Sequence, residues 1–382
     1  MEKQIKLMIQ YLKDNSDQYR TAVKNQVQFW EEKSTDVPPL LLHRKDPPDL
    51  GFSPKSFDYA EIQFDDRKML YAGLTSALLS TGDSVPSIRA NKGCGIYPNM
   101  LGVKSTYFPD KMPWVQEHLT KAQITAMEPD HIEFGDQFKK GLETMSYLAD
   151  HLKGTGCLVY PLDLQGAVDT AHLVYGDAYF YDLYDDPSFI HHLMNCTVQA
   201  MIKGCDAVLR ILDETGNTSL DQMTFISHYN DLVIPKSKGG IKFSEDTTTL
   251  LNPDQIDEYA LPYLKQLADY YGGGYVHFCG KNKHLYQQVM KIPSICGLNL
   301  GNPEKHDMEE VLGDCANTGK VYYGDLSHAV SGKDLNEYFT KCLKASYNRS
   351  SFKLLLAHSC FSYEIPFVKQ AWENAANVVR AT

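Results

Sequence analysis

The sequence predicts an α/β protein, and more specifically a closed (β/α)₈ TIM barrel with a helical addition at its N-terminal end. In the second half of the chain, short apolar runs of β-forming residues alternate with segments of helical length, which is typical of βαβ units. Over the whole chain about eight such runs occur. We place the helical extension at residues 1–80 and the barrel at residues 81–382.

An open doubly wound sheet is the alternative fold. Its nucleotide-binding version has no support, because neither GxGxxG nor GxxxxGK[ST] follows any of the apolar runs.

The predicted elements follow the chain in order. Residues 4–32 have the apolar spacing of an amphipathic helix, interrupted near Asn15, and the prolines between residues 38 and 54 indicate an irregular connection. Asp186 and Pro187 are a helix start signal. Further helices are predicted at about 59–80, 113–127, 131–151, 186–212, 252–271, 281–291, 304–317 and 332–347. Strands are predicted at 39–43, 85–89, 157–162, 223–227, 274–279, 292–298, 320–324 and 352–357.

The charge balance excludes two classes of partner. The chain of 382 residues has 37 basic and 48 acidic side chains, a formal net charge of −11. Nucleic acid and anionic membrane surfaces both require a basic surface, so neither is expected as a partner. No signal-peptide-like or membrane-spanning apolar run is present, and we expect a cytoplasmic protein. Nine cysteines are too sparse for a disulfide framework and are expected to be thiols or metal ligands.

Two HxC patterns, each at the end of a predicted strand, suggest a metal site. His277 and Cys279 lie on one face of a strand, roughly 7 Å apart along the backbone, and His358 and Cys360 repeat the arrangement at the last strand. Imidazole and thiolate suit zinc. The residues alone permit an open His/Cys/Cys site or a closed Cys₂His₂ structural site. The alternative without a metal is that all four are ordinary buried residues of the barrel.

Three further polar residues are candidates for contact with substrate. Asp246 lies in a Ser-Glu-Asp-Thr-Thr-Thr loop, where it is expected to orient a substrate or a metal-bound histidine, or to act as an ordinary turn aspartate. His228 and Asp231 follow the predicted strand at 223–227, which is a favourable location for catalytic residues in a barrel.

The pattern of His277, Cys279 and a cysteine about 80 residues later, Cys360, resembles the zinc motif of the methylcobamide:thiol (coenzyme M) methyltransferases, within the uroporphyrinogen decarboxylase superfamily. The likeness runs from about residue 80 to residue 370. Looser patterns agree with it at Gly82 to Pro86, Asn91 to Gly93, Tyr160 to Asp163, Ser244 to Asp246, Asn252-Pro253 and Leu261 to Tyr263.

The resemblance implies a zinc-dependent methyltransferase. By this likeness, His277, Cys279 and Cys360 hold Zn²⁺, a partner protein carries the methylated corrinoid, and a small molecule, a thiol or similar compound, accepts the methyl group. Three protein ligands leave the fourth zinc position open for this acceptor. Where related barrels have a carboxylate near the metal, this chain has Asn299 and Asn302.

Two alternatives remain open. One is decarboxylation of a tetrapyrrole, as in the uroporphyrinogen decarboxylases, but the arginine-rich N-terminal signature of those enzymes is missing and Arg44 is its one possible remnant. The other is a non-catalytic barrel in which His358 closes a structural Cys₂His₂ zinc site.

Overall fold

We analysed a computed structural model of the chain. The structure describes residues 1–33, 36–216, 223–225 and 231–382.

The main sheet has seven strands in the order β2-β1-β13-β12-β11-β10-β9. All neighbours in it are parallel except β1 and β2. Three smaller pairs are also present in the described part of the chain: β3 with β6, which are parallel, and β4 with β5 and β7 with β8, which are antiparallel. The strands are β1 Leu40–Arg44, β2 Ser80–Gly82, β3 Ser87–Arg89, β4 Ser105–Thr106, β5 Trp114–Val115, β6 Leu158–Tyr160, β7 Met223–Phe225, β8 Val233–Pro235, β9 Lys242–Ser244, β10 Gly274–Phe278, β11 Ile295–Leu300, β12 Val321–Gly324 and β13 Leu354–Cys360.

Helices connect most of these strands. Asp186 caps α9 by accepting a hydrogen bond from the backbone of Phe189, which confirms the predicted start signal. The helices are α1 Glu2–Asp14, α2 Ser16–Trp30, α3 Tyr59–Phe64, α4 Asp66–Ala77, α5 Lys121–Thr125, α6 Asp136–Leu152, α7 Ala167–Tyr175, α8 Ala178–Asp185, α9 Pro187–Glu214, α10 Pro253–Tyr259, α11 Leu261–Tyr270, α12 Lys283–Lys291, α13 Met308–Thr318, α14 Leu335–Ala345 and α15 Ile365–Arg380.

The α/β class is confirmed, but a closed ring of hydrogen-bonded strands is not found among the described residues. The strands of the main sheet are not all the predicted ones. The prediction gave residues 223–227 a place in the central sheet, whereas β7 pairs with β8 outside it and β9 occupies that place beside β10. β9 has three residues and begins with the buried Lys242, so it lacks the apolar run by which a strand is recognised.

One hydrophobic core joins the N-terminal helices to the sheet. Met8 and Leu12 of α1 are fully buried in the same cluster as Leu41 of β1 and Leu356 of β13. β1 itself lies in the main sheet, although it falls inside the predicted extension; the division at residue 80 stays a prediction. In the described part of the chain, no helix is both long and apolar enough to cross a bilayer.

Candidate metal centre

His277 lies near the C-terminal end of β10 and is almost completely buried. The β10–β11 register places it beside Asn299, whose Oδ1 is 2.5 Å from His277 Nδ1. Asn299 Nδ2 donates to the carbonyl of Tyr323 at 2.6 Å, which fixes the orientation of the amide. Because Oδ1 can then only accept, Nδ1 of His277 must carry the proton and Nε2 presents its lone pair. Burial, together with the charge of Lys242, lowers the pKa of His277, so the neutral ring that a metal requires is favoured.

Cys279 directly follows the last residue of β10, and its side chain points towards Nε2 of His277. Its Sγ is 3.6 Å from His277 Nε2. Gly301 leaves the space that the sulfur fills, since a Cβ at that position would be 2.6 Å from Sγ. Burial and the neighbouring Asp246 carboxylate raise the pKa of the Cys279 thiol to about 11. A bound cation acts in the opposite direction and favours the thiolate.

Asp246 completes the group from the neighbouring strand. It begins a 3₁₀ turn, Asp246–Leu250, just beyond β9. Its Oδ1 lies 3.6 Å from His277 Nε2 and accepts a hydrogen bond of 2.6 Å from the backbone of Cys279. The backbone amides of Asp246 and Thr247 donate to the buried carboxylate of Asp169 at 2.8 and 2.5 Å. This contact holds the turn in place, and burial raises the pKa of Asp169 to about 7 despite these hydrogen bonds.

The three donor atoms fit zinc. All lie within 4.8 Å of one another. A tetrahedral site with the usual zinc bond lengths separates its donor atoms by about 3.5 Å, close to the two 3.6 Å separations from Nε2. Imidazole, thiolate and carboxylate are all zinc donors, and three of them leave one position open.

Cys360, the predicted third ligand, is not in this group. His358 packs its ring edge-on against Phe339 of α14, with the ring centres 5.5 Å apart. Because side chains alternate along a strand, Cys360 shares that helix-facing side of β13. Ligation by Cys360 stays a prediction. The closed Cys₂His₂ site requires both HxC pairs to lie together, and the described residues contain no such cluster.

The other two predicted site residues have different outcomes. His228 lies outside the described residues. Asp231 is buried away from the metal group, where its carboxylate contacts His43 and Ser80 and its backbone has a φ of 87°. Burial alone disfavours a charged His43, but the hydrogen bond and charge of Asp231 outweigh it and raise the pKa of His43. A catalytic role for His228 and for Asp231 stays a prediction.

A cavity of about 640 Å³ adjoins the metal group, and Asp246 belongs to both, while its neighbour Thr247 also lines the cavity. Its wall is mixed in chemistry, with carboxylates, histidines, one arginine and an indole. The remaining lining residues are Arg89, Cys94, Met112, Pro113, Trp114, His118, Asp163, Gln165, Asp169, His172, Leu173 and Asp177.

Two residues that orient the metal group were not identified from the sequence. In the sequence, Asn299 was noted only because it stands where related barrels have a carboxylate. In the structure it orients His277. Asp169 positions Asp246 from α7, 77 residues away. Asn299 could have been found by aligning the HxC strand with the next strand, but Asp169 gives no local signal because an aspartate in a helix is ordinary.

The fold is shared with a protein of known structure. A methyltransferase from Methanosarcina mazei superimposes with a TM-score of 0.56 over 94% of this chain and 98% of that chain, at 12% sequence identity. No family model matches the sequence, and no curated protein matches it. The likeness therefore establishes a common α/β architecture.

Proposed function

We propose that this protein is a zinc-dependent methyltransferase that moves a methyl group from a methylated corrinoid, carried by a partner protein, to a small thiol or similar acceptor. The observation that carries the proposal is the convergence of Asp246, His277 and Cys279 beside a cavity large enough for a small molecule. The fold shared with a methyltransferase supports it.

The protein side chains would prepare the acceptor. Zinc, when bound, supplies a positive charge that lowers the pKa of an acceptor thiol. His277 would present Nε2 to the metal, because Asn299 fixes the tautomer. Cys279 and Asp246 are linked through a backbone hydrogen bond, so the two donors move as a unit. The open fourth position would place the acceptor sulfur beside the cavity. After losing its proton to solvent, the sulfur would attack the methyl carbon and form an S–C bond, while the cobalt–carbon bond of the partner's corrinoid would break and leave its electron pair on the cobalt.

The strand arrangement also supports a (β/α)₈ barrel. β1 pairs with β13, so the first and last parallel strands are neighbours, as barrel closure requires. The β3–β6 pair supplies two more parallel strands, and a hydrogen bond of 2.5 Å from Gly166 to Ser244 links the chain after β6 to β9. We propose that the eight strands of the barrel are β1, β3, β6 and β9 to β13.

The test combines metal analysis with methyl transfer. Purified protein is expected to bind one zinc per chain and to demethylate free methylcobalamin in the presence of a thiol, which absorption spectroscopy follows. His277→Ala should abolish both, whereas His131→Ala, which alters an exposed histidine, should affect neither. Equal rates of thiol-dependent demethylation by metal-free and zinc-loaded protein would refute the proposal.

A further inference from the structure

The cavity beside the metal group has little positive charge to offer a ligand. Arg89 is the one lysine or arginine among the described residues that line it. Four carboxylates line the same space: Asp163, Asp169, Asp177 and Asp246. The cavity therefore differs from a typical site for an anion, in which arginine or lysine side chains converge on the ligand.

Arg89 is already neutralised. Its Nη1 lies 3.4 Å from Asp163 Oδ1 in an ion pair whose side chains are 14% and 9% exposed. Its other terminal nitrogen donates to Asn91 at 3.1 Å, and its guanidinium lies over the ring of Tyr160. An anionic ligand would have to compete with a buried carboxylate for this group, and separating a buried pair is costly.

The rest of the wall favours a neutral or positive ligand. Asp177 is almost fully exposed at the cavity wall, and its Oδ1 lies 3.4 Å from His172 Nε2. Trp114, which is half exposed, also lines the cavity. The face of an indole ring attracts cations.

We propose that the acceptor bound in this cavity has a neutral or cationic tail, and that acceptors with an anionic tail are disfavoured. The inference rests on the proposed function, since it assumes that the acceptor enters through the cavity that Asp246 lines. The charge balance holds whichever protonation state Asp169 adopts, because Asp163 alone compensates Arg89.

Three thiols with the same two-carbon chain test the proposal: cysteamine (cationic), mercaptoethanol (neutral) and mercaptoethanesulfonate (anionic). Isothermal titration calorimetry on zinc-loaded protein gives each Kd, corrected for the fraction of each thiol that is ionised at the assay pH. We expect the sulfonate to bind at least about tenfold more weakly than cysteamine, the scale of one charged hydrogen bond.

Two variants test the cause. Asp163→Asn releases Arg89 and should improve sulfonate binding by about tenfold relative to mercaptoethanol. Asp177→Lys changes an exposed side chain, so it is compatible with folding, and should shift the preference towards the sulfonate. Asp14→Lys, on the exposed surface of α1, is the matched control and should shift nothing.

The outcomes separate the two proposals. Weak sulfonate binding that improves in both variants supports the charge inference. Tightest binding of the sulfonate to the unaltered protein overturns that inference and leaves the thiol chemistry standing. Failure of all three thiols to bind zinc-loaded protein overturns the proposed function itself.

Discussion

Replacing Asn299 with alanine should weaken zinc binding without removing any ligand. The amide makes two short buried contacts, 2.5 Å to His277 Nδ1 and 2.6 Å to the carbonyl of Tyr323. Without it the proton on Nδ1 has no acceptor, and the ring is free to place its proton on Nε2, the atom that must bind the metal. The variant should therefore bind zinc through a histidine that spends part of its time in the wrong tautomer.

The expected loss is a factor of about 10 to 100 in zinc affinity, the usual effect of removing the partner that orients a ligand histidine. At about 1.4 kcal/mol for each tenfold change, this is about 1.4 to 2.8 kcal/mol. Stability should fall as well, because two buried polar groups lose their partners, at about 1 to 3 kcal/mol each.

Competition with a chromophoric chelator measures the zinc affinity, and circular dichroism measured at the same temperature shows whether the variant is folded. Asn299→Asp retains an acceptor for Nδ1 and should retain affinity to within about tenfold. Asn348→Ala, which breaks hydrogen bonds in a loop after α14, controls for general destabilisation. Unchanged zinc affinity in a folded Asn299→Ala protein would refute the role assigned to the amide.

Three other predictions concern single side chains. Cys360→Ser should retain one zinc per chain by elemental analysis, because Cys360 lies outside the group of converging donors; loss of zinc would favour the sequence-based ligand set instead. Gly301→Ala should lower zinc affinity by about tenfold or more in the chelator assay, since its Cβ would lie 2.6 Å from Cys279 Sγ; an unaffected affinity would show that the sulfur has room to move. His43→Gln keeps a donor for Asp231 but removes the charge. Because the pKa of His43 is raised in the folded protein, its charged form stabilises the fold below about pH 6.5 and this contribution is lost as the pH rises through the folded pKa. The variant should therefore lose about 3 °C in Tm near pH 5.5 and less near pH 8.5, and an equal loss at both would contradict the assignment.

The strands could be predicted from the sequence wherever they form apolar runs. β10, β12 and β13 are buried along most of their length and were found within a few residues of their ends. β9 was missed because Lys242 stands at its start, and β7 was assigned to the main sheet because its residues have the same composition as a central strand. Composition indicates that a segment is extended, but pairing depends on contacts with distant residues.

The candidate site could be predicted as far as it is local. His277 and Cys279 share a strand end, so spacing alone brings them together. Asp246 was predicted at the site as a substrate or histidine contact, and it lies close enough to be a ligand because β9 pairs with β10, a pairing that the sequence did not reveal. Asn299 depends on register in the same way, since a slip of one residue in β11 would turn its side chain to the opposite face.

A carboxylate in place of a second cysteine changes the character of the proposed centre while keeping its charge. Aspartate and cysteinate each contribute one negative charge, so the sequence-predicted and the observed donor sets are equally neutral with a divalent ion. Carboxylate oxygen is a harder donor than thiolate sulfur and suits a wider range of divalent ions. A preference of the proposed centre for zinc would therefore have to come from His277 and Cys279 and from rigidity. The structure provides that rigidity, because Asp246 is held through the backbone of Cys279 on one side and by the carboxylate of Asp169 on the other.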